Sequence, residues 1–206
     1  MCQPDDQGAQ PIGKARRDKF LGFTIVELMV SLALLSITLA LALPSYREMV
    51  EKRQLTQGGE QVFAFLNSAQ GIASRSNSVV TVSYSRTDED DWCVGAVLGS
   101  TACDCTESVS TEADFCEIDG GVTRLTNDHV GNTKIMQSMN GDGAYAYDPV
   151  RGLLVDLDDS LDVVMHSPND SYQLRLIVSN TGHAVMCSTD SNHDVPGYRV
   201  CPAEPE

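Results

Sequence analysis

The most uneven feature of the chain is an apolar run close to its N-terminus. From Phe23 to Leu43 the sequence reads FTIVELMVSLALLSITLALAL, and Glu27 is its one charged residue. A helix of this length reaches about 30 Å, which is the thickness of the hydrocarbon core of a bilayer. Four basic residues precede the run and an acidic body follows it. This distribution predicts a single-pass anchor with a cytoplasmic leader and an exported C-terminal body.

Apolar positions keep a helical spacing beyond this run. They are Val62, Phe65, Leu66, Ala69, Ile72 and Ala73. Pro44 supplies no backbone N–H, so a kink is predicted there. Gly58 and Gly59 cost about 1 kcal/mol each relative to alanine, and the helix is expected to be weakest at that point. The pattern predicts one long helix from Phe23 to Ser74, with an amphipathic second half over residues 44–76.

Residues 77–206 change to the two-residue alternation of β-strands. Val80, Val82 and Tyr84 fall on one face of the first candidate strand. The other candidate strands are Cys93–Leu98, Val122–Leu125, Lys134–Met139, Gly152–Leu157, Tyr172–Ser179 and His183–Cys187. The sequence therefore predicts an α+β protein, in which an antiparallel, β-rich head packs on the second half of the helix.

Composition limits the functions that the chain can have. The 206 residues include 14 basic and 29 acidic side chains, so the formal net charge is −15. A general nucleic-acid binder needs clustered Lys and Arg to neutralise phosphates, and this balance argues against one. The mean hydropathy of −0.15 excludes a polytopic membrane protein.

The segment from Gly22 to Met29, GFTIVELM, resembles the prepilin signature of type IV pilins and type II secretion pseudopilins. The resemblance implies that a prepilin peptidase removes the leader, residues 1–22, by cutting after Gly22 and then methylates the new amine of Phe23. An ordinary secretory signal is disfavoured, because the run is long and has no clear small-residue cleavage site before Pro44. A plain membrane anchor does not explain why Gly22 stands at the start of the run.

Glu27 has a physical role that does not depend on the resemblance. A carboxylate at mid-membrane depth costs roughly 2.5–3.5 kcal/mol, so it usually has a partner. The positive end of a helix dipole offsets part of this cost near a helix start. In a bundle of identical anchors, the free α-amine of a neighbouring chain would neutralise Glu27. We therefore assign Glu27 and Pro44 to assembly, and the alternative leaves Glu27 at the headgroup level without a partner.

The order of segments in the head is similar to that of the GspH/FimT/FimU family of minor pilins and pseudopilins. Leu66–Ser76, Trp92, Arg151-Gly152 and Ser179–His183 carry this resemblance. It implies a type IV pilin fold and a non-enzymatic minor pilin that takes part in pilus assembly and priming at or near the tip. The implied partners are other major and minor pilins, the prepilin peptidase and the inner-membrane assembly platform. The implied location is the bacterial inner membrane with a periplasmic head, and then the filament.

Two other functions share the same anchor. One is a minor pseudopilin of type II secretion, whose helix obeys the same physics. The other is a receptor pilin for DNA uptake. DNA-binding members of the family carry a basic terminal segment, whereas the matching stretch here, Gly182–Val185, has no arginine. No nucleic-acid partner is therefore expected.

Cysteine usage fits an exported head. Removal of the leader takes away Cys2 and leaves six. The six are Cys93, Cys103, Cys105, Cys116, Cys187 and Cys201. An even number in an oxidising compartment predicts three disulfides. We expect one of them to join Cys187 to Cys201, which closes a ring worth about 3 kcal/mol in the chain-entropy model.

The other four cysteines leave two arrangements open. Cys103 and Cys105 are too close to pair comfortably with each other. The bonds are then either Cys93–Cys103 with Cys105–Cys116, or Cys93–Cys105 with Cys103–Cys116. A zinc site built from these four thiols is the alternative. It is disfavoured because a CxxC pair is missing and the predicted compartment is oxidising.

No cofactor is expected from the remaining polar residues. The acidic runs Asp88–Asp91 and Asp156–Asp162 offer Ca²⁺ ligands, but neither matches an EF-hand loop, and a solvated acidic face is the commoner explanation. The histidines are His129, His166, His183 and His193. They show no metal-binding spacing and no nucleophile–base set, so the chain is not expected to be an enzyme.

Overall fold

The fold is described here from a computed structural model. It describes residues 22–88, 91–107, 114–130, 133–138, 143–156, 160–189 and 195–201. By its internal contacts the chain divides into two compact units between Leu43 and Pro44. The first unit holds the apolar run, and the second holds the rest of the helix and the strands.

One long α-helix, α1, runs from Ile25 to Ser76 and contains Pro44 in its interior. The described residues also include one turn of 3-10 helix, Asn127–His129. The 52 residues of α1 start and end two positions later than the sequence predicts. The expected kink at Pro44 stays a prediction, because α1 is continuous through this residue. The predicted fold class is confirmed: a long N-terminal helix is followed by antiparallel sheets in an α+β arrangement.

Among the described residues, ten strands follow the helix in two four-stranded sheets and one hairpin. The strands are β1 Val80–Asp88, β2 Asp91–Leu98, β3 Glu117–Ile118, β4 Gly121–Val122, β5 Arg124–Thr126, β6 Lys134–Ser138, β7 Gly143–Tyr147, β8 Leu161–His166, β9 Gln173–Val178 and β10 Ala184–Ser188. The first sheet has the order β5-β2-β1-β7, the second has the order β10-β9-β8-β6, and β3 pairs with β4. All of these strand pairs are antiparallel.

The core joins the second half of α1 to the inner faces of both large sheets. The helix contributes Leu55, Val62, Leu66, Ala69 and Ala73. Alternate residues of the strands complete it, as the period of two requires: Val80, Val82 and Tyr84 from β1, Leu161, Val163 and Met165 from β8, and Leu174, Leu176 and Val178 from β9. One apolar cluster therefore holds the helix and the two sheets together.

Gly58 and Gly59 lie buried in the middle of this contact and do not interrupt the helix. A Cβ atom at Gly58 would overlap the side chain of Thr133, and one at Gly59 would lie 2.9 Å from the Met186 sulfur. The two glycines thus allow α1 to approach the second sheet and the loop before β6. Their low helix propensity is the cost of this close packing.

The predicted strand Gly152–Leu157 is wrong. Residues 149–151 form a turn, and a single bridge at Leu154 is the only strand-like pairing between 152 and 156. The Asp148 carboxylate accepts the N–H groups of Val150 at 2.9 Å and Arg151 at 2.8 Å, which holds the chain in the turn. Local side-chain hydrogen bonds here outweigh the apolar residues that suggested a strand.

Three strands are absent from the sequence prediction: the two-residue strand β3, and the longer strands β7 and β8. The sequence of β7, GAYAY, combines weak strand formers with two tyrosines that are buried in the core. The first residues of β8 lie at the end of the acidic run Asp156–Asp162 and include Asp162. Aspartate is depleted in strands, but here the Nε of Arg175 on β9 donates to Asp162 Oδ1 at 2.8 Å. This cross-strand ion pair makes an acidic position compatible with the sheet.

Candidate assembly and processing segment

The start of α1 brings the predicted processing residues into one short segment. Gly22, Phe23 and Thr24 are not helical, and the helix begins at Ile25. The Glu27 N–H donates to Thr24 Oγ1 at 3.2 Å, so the Thr24 hydroxyl caps the helix. Phe23 is 82% exposed. The bond between Gly22 and Phe23 therefore lies in non-helical chain just outside the helix.

Glu27 occupies the first turn of α1, three residues after the capping threonine. This spacing, Thr-x-x-Glu, is the capping-box pattern, which the sequence analysis did not use. It was available as a signal because Thr24 is followed directly by the apolar run. The first turn carries the partial positive charge of the helix, so its dipole stabilises the Glu27 carboxylate there.

The first half of α1 leaves its large apolar side chains uncovered. Ile25, Leu28, Leu32, Leu35, Ile37, Leu39, Leu41 and Leu43 are each at least half exposed. The helix contains a window apolar and long enough to cross a membrane, and none of that window is buried within the chain. A helix surface that is apolar on all sides is stable only in contact with lipid or with other apolar helices.

Three hydroxyl groups interrupt this apolar surface, and each donates back to its own helix. Ser31 donates to the Glu27 carbonyl at 2.7 Å, Ser36 to the Ala33 carbonyl at 2.7 Å and Thr38 to the Leu35 carbonyl at 2.9 Å. These bonds satisfy the donors without water or a partner. The three residues are therefore compatible with lipid, a property that the sequence analysis did not address.

In the head, a second small core lies on the outer face of the first sheet. The structure joins Cys93 to Cys105 and Cys103 to Cys116, which is one of the two arrangements left open. All four cysteines are buried together. Gly95 on β2 faces the Cys116 sulfur so closely that a Cβ atom would overlap it. The two disulfides thus fasten the chain between β2 and β4 onto the sheet, away from the helix.

The third disulfide joins Cys187 on β10 to Cys201 in the C-terminal segment. Next to it, Ser188 N–H donates to the Arg199 carbonyl and Cys201 N–H donates to the Ser188 carbonyl, each at 2.8 Å. The C-terminal segment therefore pairs with the last residue of β10. This arrangement fixes residues 199–201 against the second sheet.

Two carboxyl groups with perturbed pKa values hold turns of the head. The hydroxyl of Thr106 at 2.6 Å and its N–H at 2.8 Å donate to Asp104 Oδ1 and lower the pKa of this carboxyl. The N–H groups of Arg151 and Val150 lower the pKa of Asp148 in the same way. Both groups cap turns at the surface, so their perturbed pKa values reflect local structure.

The described residues do not bring together a metal site or a catalytic set. No group of three or more His, Cys, Asp or Glu side chains among them is placed to hold a metal ion. Parts of both acidic runs and His193 lie outside the described residues, so the calcium alternative stays a prediction. His129 Nδ1 lies 2.7 Å from the Thr126 hydroxyl and His166 Nδ1 lies 3.5 Å from Asp170. The leader, residues 1–21, also lies outside the described residues.

Comparison with known families places these features in context. A model of the prokaryotic N-terminal methylation motif matches residues 17–43. A model of the type II transport protein GspH matches residues 59–182, which is more than half of the chain. The two matches fall on the apolar run with its processing residues and on the second half of α1 with most of the strands.

Individual relatives are more distant. The type IV major fimbrial protein FimA of Dichelobacter nodosus is 23% identical over 138 residues, which cover 60% of this chain and 84% of FimA. An uncharacterized protein of Haemophilus influenzae is 31% identical over 91 residues, covering 43% of this chain and 54% of that protein. A crystal structure of the type IV minor pilin FimU of Pseudomonas aeruginosa aligns with a TM-score of 0.45 and 13% identity, over 70% of this chain and 98% of FimU.

Proposed function

The chain belongs to the family of the type II transport protein GspH, whose members are structural pilins and pseudopilins, and from this premise we propose that it is a minor type IV pilin that takes part in pilus assembly. The observation that carries the proposal is the first half of α1. It exposes apolar side chains along its length and places one carboxylate, Glu27, in its first turn. A structural subunit needs both features, whereas a soluble binding protein needs neither.

In the proposed mechanism, the anchor holds the subunit in the inner membrane with the head in the periplasm. A prepilin peptidase cuts after Gly22 and methylates the amine of Phe23. The assembly platform then moves the helix from lipid into the growing bundle, where apolar side chains of neighbours replace lipid. Glu27 pairs there with the α-amine of an adjacent subunit, because an unpaired carboxylate in an apolar bundle is costly.

A position at or near the tip is the finer part of the proposal. The head carries three disulfides within residues 93–201, which suits a subunit exposed at the end of the fibre. Gold-labelled antibody against the segment that the Cys103–Cys116 disulfide closes should mark filament ends. Uniform labelling along the filament would contradict the tip position and leave the assembly role intact.

The processing step is tested by Gly22→Leu, with Gly13→Leu in the leader as the matched control. The larger side chain next to the scissile bond should leave uncleaved precursor in the membrane, whereas the control should be processed normally. Mass spectrometry of the purified protein identifies the N-terminal residue and its methylation. Normal cleavage of the Gly22 variant would refute the peptidase assignment.

The pairing step is tested by Glu27→Gln, with Glu48→Gln as the matched control beyond the apolar run. The Glu27 variant should be cleaved but enter filaments roughly tenfold less, the factor that corresponds to about 1.4 kcal/mol. The control should assemble normally. Quantitative blotting of sheared filaments measures the effect, and equal incorporation of both variants would remove the pairing argument.

A minor pseudopilin of type II secretion is the second candidate, and the name of the matching family favours it. The same anchor serves both systems, so a phenotype has to separate them. Deletion of the gene should abolish surface pili if the first proposal is right, and it should abolish export of folded proteins if the second is right. DNA binding is disfavoured by the acidic body, and tight binding in a mobility-shift assay at low salt would reverse that judgement.

A further inference from the structure

Strand β10 is an edge strand of the second sheet, and half of its hydrogen-bonding groups face away from the sheet. Ser179 N–H donates to the His183 carbonyl at 3.1 Å, so in this antiparallel pair the odd-numbered residues of β10 face β9. Ala184, Met186 and Ser188 then direct their N–H and C=O groups outward. Ser188 confirms this, because both of its outward groups bond to the C-terminal segment.

In the part of the chain that the structure describes, the outward groups of Ala184 and Met186 remain open. Within the described part of the chain, no main-chain hydrogen bond other than those of the sheet reaches either residue. The C-terminal segment that pairs with Ser188 turns away at Tyr198, because Tyr198 N–H donates to the Val195 carbonyl at 3.2 Å. The protein itself thus shows that a segment can pair along this edge, and the described residues leave the first part of the edge free.

A mostly apolar groove of about 580 Å³ runs beside the open edge. Phe63 of α1, Met186 of β10 and Tyr198 line it, and Glu60 stands on its helix side. The Tyr198 hydroxyl lies 3.1 Å from the Glu60 carboxylate. Side chains at every second position of an added strand would point into this groove.

In the described part of the chain, the C-terminal segment covers β10 at Ser188 only, whereas the other edges of the two large sheets carry features that hinder pairing. The edge of β7 is covered at Ala146, whose carbonyl accepts the Val155 N–H at 2.8 Å. Strand β5 has only three residues, and β6 contains a register shift between Ile135 and Gln137. Short length, covering and bulges are the usual protections of edge strands. The sequence of β10, AVMCS, has no charge and no proline.

We infer that the open edge of β10 and its groove form a docking surface for an extended segment of a different filament subunit. The segment carries apolar side chains at alternate positions and a lysine or arginine that meets Glu60. The inference rests on the proposed function only in taking the partner to be a filament subunit.

Charge decides between a different subunit and a second copy. Without the leader the chain has 10 basic and 26 acidic residues, since four of the 14 and three of the 29 lie before Phe23, and its net charge is −16. Two such copies repel each other, whereas a basic segment is attracted to the same surface. The occupant is therefore expected to be basic and to come from another protein.

The test uses the full mature chain in detergent micelles and a peptide probe that alternates valine and threonine between two terminal lysines. Amide exchange measured by NMR should slow about tenfold at Ala184 and Met186 when the peptide binds, the factor given by roughly one hydrogen bond. Exchange at Val185 and Cys187 should not change, because these residues already bond to β9. The same peptide with terminal glutamates should bind about tenfold less tightly at low salt.

Variants separate edge pairing from general adhesion. Ala184→Pro removes one outward N–H at a position where an edge strand tolerates proline, and it should weaken peptide binding about tenfold. Val150→Thr, in the exposed turn after Asp148 and outside the groove, should leave the affinity within about twofold. Should the proline variant unfold, a peptide with N-methylated amides on its pairing side replaces it and should fail to bind.

The inference is overturned if Ala184 and Met186 are protected before the peptide is added, or if saturating peptide changes neither amide. If amide protection at these residues rises with protein concentration in the absence of peptide, the occupant of the docking surface is a second copy of this chain and not a different subunit. The assay requires neither cleavage nor filaments, so its result does not depend on the Gly22 and Glu27 variants that test the proposed function.

Discussion

The two halves of helix α1 have the same backbone conformation and opposite surroundings. Before Pro44, Leu28 and Leu32 are more than half exposed, and so are their apolar neighbours. After Pro44, Leu55 and Leu66 are fully buried against the two sheets. The second half finds its apolar partners within the chain, whereas none of the apolar window in the first half is buried by the chain.

Under the proposed function, this difference explains how one helix serves two functions. Burial of a leucine side chain is worth about 1.5–3 kcal/mol, wherever the apolar contact comes from. In the second half this free energy stabilises the head. In the first half it is available for insertion into a membrane or a filament, and it can be exchanged between the two because both environments are apolar.

The largest expected effect comes from truncating one leucine in each half. Leu66→Ala should lower the unfolding free energy of the head by about 2–5 kcal/mol, because it leaves a cavity between α1 and the sheets. Leu32→Ala should change it by less than about 0.5 kcal/mol. Urea unfolding of the full chain in detergent, followed by the fluorescence of the buried Trp92, measures both.

Equal destabilisation by the two substitutions would break the comparison. It would mean that the first half of the helix also contributes to the stability of the head.

A smaller effect is expected from removing one disulfide at a time. One double variant replaces Cys103 and Cys116 by serine, and the other replaces Cys187 and Cys201. The paired cysteines are 13 positions apart in the first case and 14 in the second. The chain-entropy model therefore assigns each disulfide about 3 kcal/mol of unfolding free energy. The first pair should cost more, because it also disrupts the buried cluster around Gly95. Thermal unfolding of the head measures the difference, while the helicity of the first half, followed by circular dichroism, should persist.

Identical losses for the two pairs would show that ring closure alone matters. The buried cluster on the outer face of the first sheet would then add nothing to the unfolding free energy of the head.

Much of this organisation is readable from the sequence because it depends on periodicity. The helix bounds, the apolar first half and most strands follow from the spacing of apolar residues. Strand β8 was not predicted, because Asp162 looks like part of an acidic loop until Arg175 is known to lie across from it. The Asp-Pro pair at 148–149 is a turn signal in the sequence, but the absence of a strand from Gly152 was not predicted, since the turn is extended by two hydrogen bonds to one carboxylate.

The site shows the same division. Gly22, Phe23 and Glu27 stand together in the sequence, so their proximity needed no fold. The choice between two disulfide arrangements depended on how the chain between β2 and β4 folds back over the sheet. The reason for Gly58 and Gly59 could not be read locally, because the atoms that require them belong to residues more than 70 positions away.

Glycines within α1 give a finer test of the second half. Gly58→Ala should destabilise the head by about 1–3 kcal/mol, because the added methyl overlaps Thr133. Gly71→Ala should instead stabilise it by about 0.5–1 kcal/mol, since its Cβ would meet only the flexible end of Arg75 and alanine favours the helix. Urea unfolding of both variants gives the signs, and a gain in stability at Gly58 would contradict the close packing.

The smallest expected effect concerns the link between Tyr198 and Glu60, which ties the C-terminal segment to the second half of α1. Burial, followed by the hydrogen bond to Glu60 and its charge, raises the pKa of Tyr198 from 10.0 to about 12. Between these two values the folded chain binds the proton more strongly than the unfolded chain does. The contribution of Tyr198 to stability is therefore complete below pH 10 and is lost as the pH rises towards 12.

Subtracting the phenolate absorbance of Tyr198→Phe from that of the native chain isolates this titration from the other tyrosines. Glu60→Gln should move its midpoint downward, because it removes the neighbouring negative charge, whereas Glu48→Gln should not. A native midpoint near 10 would show that the C-terminal segment is not held against the helix, and the contrast between the halves of α1 would then rest on the sheets alone.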